Sequence, residues 1–199
     1  MGVRLLAACV AVQLVLLALC ANASASPACP ADELKPTLEN AYDTAMSVVC
    51  DINAARTDHG LGPLHWDWRL WVAAQRMAND MAARRYASHV TPEGQTLANR
   101  VAPTGYIPPT PTWLLAENLG WGTSVLSTPL SIVIGWIQSP EHRENMLDPQ
   151  LEDIGVGIQE GAISENGQVG TIYVADFGVR GTPIASIKIH GRAGRSRKR

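Results

Sequence analysis

Apolar positions recur at helical spacing in three stretches of the chain and alternate at strand spacing in two more near its end. The first helical stretch runs from Lys35 to Asp58, with Pro36 near its start and Val48, Val49 and Ile52 as its apolar contacts. His59-Gly60-Leu61-Gly62-Pro63 stops it, because glycine takes the left-handed cap and proline cannot continue a helix. Asp67 is placed to cap a second helix, on which Leu70, Ala74, Met77 and Met81 form one broad face with Trp71 and Ala78 alongside. Asn79, Asp80, Arg84 and Arg85 fall on its other side or its end. A third helix opens with Thr128 as cap and Pro129 in its first turn, and it buries Ile132, Val133, Trp136 and Ile137. Ser139-Pro140 ends it, and His142 to Leu147 fits one or two further turns.

The alternating stretches are Ile154, Val156, Ile158 and then Val169 to Phe177, with Asn166-Gly167 in the turn between them. The last stretch carries apolar residues on both faces, which predicts a central strand covered on both sides. Helices first and strands last predict an α+β fold, a three-layer α-β-α sandwich with a small antiparallel sheet between helices. From Thr91 to Thr112 the pattern breaks down into an irregular stretch with Pro92, Pro103, Pro108, Pro109 and Pro111, long enough to suggest a functional loop.

The first residues change the picture of where this domain works. Arg4 is the only charge before Asp32, Leu5 to Leu19 is apolar apart from Gln13, and Ala23-Ser24-Ala25 offers a small-residue cleavage site. Residues 1–25 therefore read as a secretory signal peptide, and the protein is expected outside the cell. A lipid anchor on Cys20 is the alternative, and the bulk of Leu19 argues against it. Cleavage leaves Cys29 and Cys50, which in an oxidising compartment are expected to form a disulfide tying an arm, residues 26–34, to the first helix. Closing such a loop is worth about 3 kcal/mol.

The compact domain is expected over 35–181. Beyond it, residues 182–199 carry Lys188, Arg192, Arg195, Arg197, Lys198 and Arg199 with almost no apolar residues. That composition predicts a disordered tail, either a solvated end or a contact for an anionic surface. Nucleic acid is not an expected partner for an exported chain.

Three polar motifs stand out against this frame: Ser88-His89, Ala116-Glu117-Asn118-Leu119-Gly120, and Ser139-Pro140-Glu141-His142-Arg143-Glu144-Asn145-Met146. Read in order with Ile52-Asn53-Ala54-Ala55-Arg56, Gly60-Leu61-Gly62-Pro63-Leu64, Trp66-Asp67, Ile154-Gly155-Val156-Gly157 and Val174-Ala175-Asp176-Phe177-Gly178, they resemble the CAP superfamily in its bacterial form. That superfamily comprises cysteine-rich secretory proteins, antigen 5 and plant pathogenesis-related proteins of group 1. The resemblance covers about Cys29 to Val179 and implies an α-β-α sandwich whose cleft gathers two histidines and two acids. By motif these are His89, His142 and Glu117, with Asn118 beside it. Gln138 and Ser139 stand near the position of the second acid, with Glu141 and Glu144 close by. In some members the histidines hold a divalent metal.

Two imidazoles and a carboxylate with water would make an open site for zinc or a similar ion, able to polarise a carbonyl. The same groups could equally be a hydrogen-bonded cluster tying helices together. Trp113 and Trp121 flank the Glu117 segment, either as core residues or as a lining for an apolar or sugar ligand. Ser88 and Ser139 sit near the histidines, yet neither lies in a nucleophile elbow. His59 and His65 read as solvent-facing and His190 as part of the tail. Three functions stay open: a binding module for an envelope lipid or glycan, a metal-assisted hydrolase, and a structural surface protein.

Overall fold

A computed structural model describes residues 29–109, 112–164 and 167–181. The signal segment, the basic tail, the arm before Cys29 and Asn166 of the expected turn lie outside these residues. Helix α1 spans Ala41–Asp58. It starts later than the pattern suggests because Thr37 and Asn40 close a turn on each other, with Thr37 N–H donating to Asn40 Oδ1 at 2.6 Å. Gly60, at φ +70°, follows its end. Helix α2, Trp68–Arg84, begins where expected, since the Asp67 carboxylate accepts from Arg69 N–H at 2.8 Å.

The irregular stretch is not structureless. Thr91 and Gln95 close a small loop (Thr91 N–H to Gln95 O, 3.0 Å), and then helix α3, Leu97–Val101, opens on a reciprocal Thr96–Asn99 capping box and runs into a tight turn over Ala102–Thr104. Proline density hid this helix from the periodicity. Helices α4, Pro129–Gln138, and α5, Pro140–Met146, follow the third apolar stretch.

Four strands form one sheet in the order β1-β3-β4-β2: β1 is His65–Trp66, β2 Trp113–Gly122, β3 Asp153–Gly161 and β4 Gly170–Arg180. All pairs are antiparallel except the short β1–β3 pair, which is parallel, so the sheet is mixed rather than purely antiparallel. Strand β2 was not expected, because its polar pair Glu117-Asn118 breaks the alternation at its centre. Ile154, Val156, Tyr173, Ala175 and Phe177 face one helical layer together with Val48, Ile52, Ile132 and Trp136. Ile172 and Val174 face Ala74, Met77, Ala78 and Met81 of α2 on the other. Helix α2 lies almost on the sheet: a Cβ on Gly155 would fall 2.0 Å from the Trp71 nitrogen, and one on Gly157 2.4 Å from the Ala74 carbonyl carbon. Only glycine permits that approach.

Cys29 and Cys50 are bonded, tying the arm to α1 as the sequence suggests. At the far end of α1, the buried Arg56 guanidinium donates to four carbonyls: Gly62 (2.8 Å), Met146 (2.8 Å), Asp148 (3.0 Å) and Leu151 (3.2 Å). It thereby fixes the end of α5 against α1.

Candidate functional site

Strand β2 is the sheet's outer strand, so one row of its backbone groups points away from the sheet and needs cover. Side chains from α4 and α5 supply it. Trp136 Nε1–H donates to Leu119 O at 2.9 Å, and Asn145 Nδ2–H donates to Glu117 O at 3.2 Å. Asn145 also reaches Asn118 Oδ1 (2.9 Å), and Asn118 Nδ2–H donates to the His142 carbonyl at 3.0 Å. Asn118 is fully buried, so the α5 turn carrying His142 is locked to the strand edge. Side chains alternate along a strand, which puts Glu117 on the opposite face, under the loop that carries His89.

There the Glu117 carboxylate is buried and both its oxygens are occupied. Oε1 accepts from Nδ1 of His89 at 2.8 Å, and Oε2 is paired with the buried Arg100 guanidinium. A carboxylate only accepts, so Nδ1 of His89 carries a proton and donates to Glu117, with Nε2 on the far edge of the ring. Arg100 also donates to the His89 carbonyl (2.8 Å) and to Gln95 O (3.3 Å), which pins the loop. The His89 side chain remains 58% exposed.

His142 is half-buried, with Nδ1 2.8 Å from Ser139 Oγ. Burial, and then the charge of His89, lower its affinity for a proton, while Glu141 partly opposes them. The two rings therefore act on each other electrostatically. Among the described residues neither Nε2 has a hydrogen-bond partner.

A second carboxyl joins this cluster from a place that sequence reasoning missed. Asp176 stands opposite Glu117 in the β2–β4 register and opposite Gly155 in the β3–β4 register, beneath α2. It is fully buried, with no hydrogen-bond partner for either oxygen besides its closeness to Glu117. Burial, and then the Glu117 charge, push its pKa well above the ordinary carboxylate range, with Arg100 opposing. A lone polar residue within an apolar strand was the available signal. Gln138, Glu141 and Glu144, the residues near the second histidine, are exposed instead.

Trp113 and Trp121 lie at the two ends of β2, each about 13 Å along the strand from Glu117. Trp121 packs with the α2 cluster and donates to Gly161 O at 3.2 Å. Trp113 stands opposite Arg180. Neither is drawn to the histidines. Ser88 Oγ accepts from Val90 N–H at 3.1 Å. Ser139 touches His142, and among the described residues no carboxylate bonds to the other nitrogen of that ring.

The order of helices and strands and the small sheet between helical layers are those of the CAP, or SCP, class of domain. The chain belongs to that family: the model of the Cysteine-rich secretory protein family matches residues 50–177. It is 32% identical over 129 residues to the uncharacterized protein YkwD of Bacillus subtilis (strain 168), a match covering 64% of this chain and 47% of that one. Its fold is similar to an extracellular protein containing a SCP domain from Bacillus anthracis str. Ames, with TM-score 0.55 and 25% identity over 71% of this chain and 43% of that one. It is also similar in fold to an outer surface protein of Borrelia burgdorferi (TM-score 0.56, 21% identity, 74% of this chain and all of that one). The chain thus spans less than half the length of the two bacillus proteins.

Proposed function

We propose that this chain is an exported binding module. The sheet-edge site of His89, Glu117 and His142 takes the polar part of a cell-envelope ligand, a lipid headgroup or a glycan. One observation supports this reading: each imidazole is held through Nδ1, by Glu117 or by Ser139, and among the described residues the Nε2 edges have no partners. Such rings are fixed hydrogen-bonding groups at a surface, built to hold rather than to turn over. Export follows from the N-terminal pattern, and the extracellular and outer-surface character of two proteins similar in fold supports it. No described helix is long and apolar enough to cross a membrane. The basic residues after 181 would add a salt-sensitive contact with an anionic surface.

A divalent ion would be held by the Nε2 atoms of His89 and His142, because both oxygens of Glu117 already have partners in His89 and Arg100. Among the described residues no three His, Cys, Asp or Glu side chains converge as a metal site. When bound, the ion would supply an open position to bridge an anionic headgroup. Zinc titration of wild type against His142→Ala tests this, and identical binding by both excludes it.

The hydrolase reading has one observation in its favour, the Ser139–His142 contact. Labelling by a serine-directed fluorophosphonate that is lost in Ser139→Ala would establish it; the expected result is no labelling. The binding reading itself is tested by native mass spectrometry of the protein recovered from its own culture medium. A bound small molecule that His89→Ala or His142→Ala releases supports it. A bare polypeptide mass overturns it.

A further inference from the structure

Three large apolar side chains stand in solvent at the start of α1 and on the residues leading into it. Leu34 is 53% exposed, Leu38 93% and Tyr42 63%. Glu33, Glu39 and Asp43 lie among them, exposed, and no described cation pairs with their carboxylates. From Cys29 to Ala55 the chain holds five Asp and Glu against Lys35 alone. The surface is thus apolar and acidic at once. It lies at the end of the sheet where β4 runs out. Glu152 N–H donates to Gly178 O (3.1 Å) and Glu152 O accepts from His65 N–H (2.8 Å), so Gly178, Glu152 and His65 form one row. Two strand spacings make that row about 10 Å wide. Trp66 follows His65, and the Tyr42 ring stands edge-on to it with centroids 6.1 Å apart. Gly181 is three residues past Gly178, about 10 Å further along the strand. Together these steps put Tyr42 about 20 Å from Gly181, a gap that about six extended residues span.

We infer that this surface is the docking site of the chain's own C-terminal segment, residues 182–199. The few apolar residues of that segment, Ile184, Ile187 and Ile189, come first, interleaved with Lys188, and the arginines follow. Ile187, Lys188 and Ile189 therefore arrive where Leu38, Tyr42 and Asp43 wait. The charges match as well. Of the 16 Lys and Arg in the chain, six follow Gly181 and one is Arg4, which leaves nine in the domain against all 18 Asp and Glu. A purely apolar partner would strip water from three unpaired carboxylates, and a purely basic one would leave Leu38 and Tyr42 wet. The segment answers both, and its tether holds it at an effective concentration of about millimolar or more. The inference is independent of the histidine reading. Anionic lipid would compete with the carboxylates for the same basic residues.

The test is carbodiimide coupling of the full secreted chain at low salt, as an equal mixture of ¹⁴N and ¹⁵N chains, with the joined peptides read by mass spectrometry. The reagent joins a lysine amine to a carboxylate only where the two already meet. The expected links run from Lys188 or Lys198 to Glu33, Glu39 or Asp43 within one chain, and they fade at high salt. Leu38→Ser changes a side chain that is already in solvent, so the melting temperature should not move. The links should nevertheless fall about fivefold, the factor for withdrawing half a leucine from water. Several results would overturn the docking site. Links to Glu93, Glu141 or Glu160 as often as to these three would make the contact unspecific. Links only between ¹⁴N and ¹⁵N chains would make the surface an interface between copies. Unchanged links in Leu38→Ser would remove the apolar contact. Absence of links, with the chain binding phosphatidylglycerol vesicles or not, would free the segment from this surface.

Discussion

Asp176 is the residue whose surroundings cost the fold most plainly. Its carboxyl is sealed under α2 beside the Glu117 charge, and among the described residues no N–H or hydroxyl donates to either oxygen. The native state holds the Asp176 proton at pH values where the unfolded chain has released it. Its stabilising contribution is thus complete below about pH 3.8 and is lost as pH rises toward its raised native pKa. Asp176→Asn keeps the shape and replaces a carboxyl that must hold a proton with an amide that needs none. It should raise stability by about 1–3 kcal/mol at pH 7.5, and little at pH 4, in urea melts at the two pH values. Asp51 titrates in the same direction, pushed up to about 7 by burial and by Asp32. His142 runs the opposite way: its lowered pKa gives stability that is present above about pH 6.5 and lost as pH falls through the native value. At this scale the motifs singled out His89, Glu117 and His142, of which the structure bonds His89 to Glu117. They did not show Arg100 or Asp176 as members of the cluster. Arg100 arrives on a helix hidden among prolines, and Asp176 has no local partner that spacing could reveal.

The element that carries His142 depends on a contact 90 residues away in sequence, the Arg56 donation to Met146 O. That guanidinium serves four carbonyls from three segments, and a lysine cannot reproduce its planar fork. Arg56→Ala leaves buried acceptors unpaired and frees the end of α5. The expected loss is about 3 kcal/mol or more in urea unfolding, with hydrogen exchange accelerating in α5 before α2. The helix limits near Asp67, Thr128 and Pro140 were legible because capping is local chemistry. Strand β2 was not, since an edge strand bracketed by asparagines on one face and a buried ion pair on the other lacks the alternation of a half-buried strand. The β1–β3 pair is two residues long and leaves no pattern at all.

For the whole molecule, the order of helices and strands was sufficient to give the sandwich, and the family match over residues 50–177 agrees with it. Reading Cys9 and Cys20 as part of a signal peptide left Cys29 and Cys50 as the expected pair, and these two are bonded. Cys29→Ser with Cys50→Ser should lower stability by about 3 kcal/mol, measured in denaturant, and loosen the arm that sets Asp32 against Asp51.

The account rests on two imidazoles, on separate segments at the outer strand, lying near enough to act on each other electrostatically. Ring ¹⁵N titration of both histidines, with chelator present, measures this directly. His89 should show its proton on Nδ1 at high pH. His142 should titrate below the ordinary value of 6.5 and move upward in His89→Gln, as the neighbouring charge is removed. A His142 midpoint at or above 6.5, indifferent to the substitution at 89, would contradict the shared site.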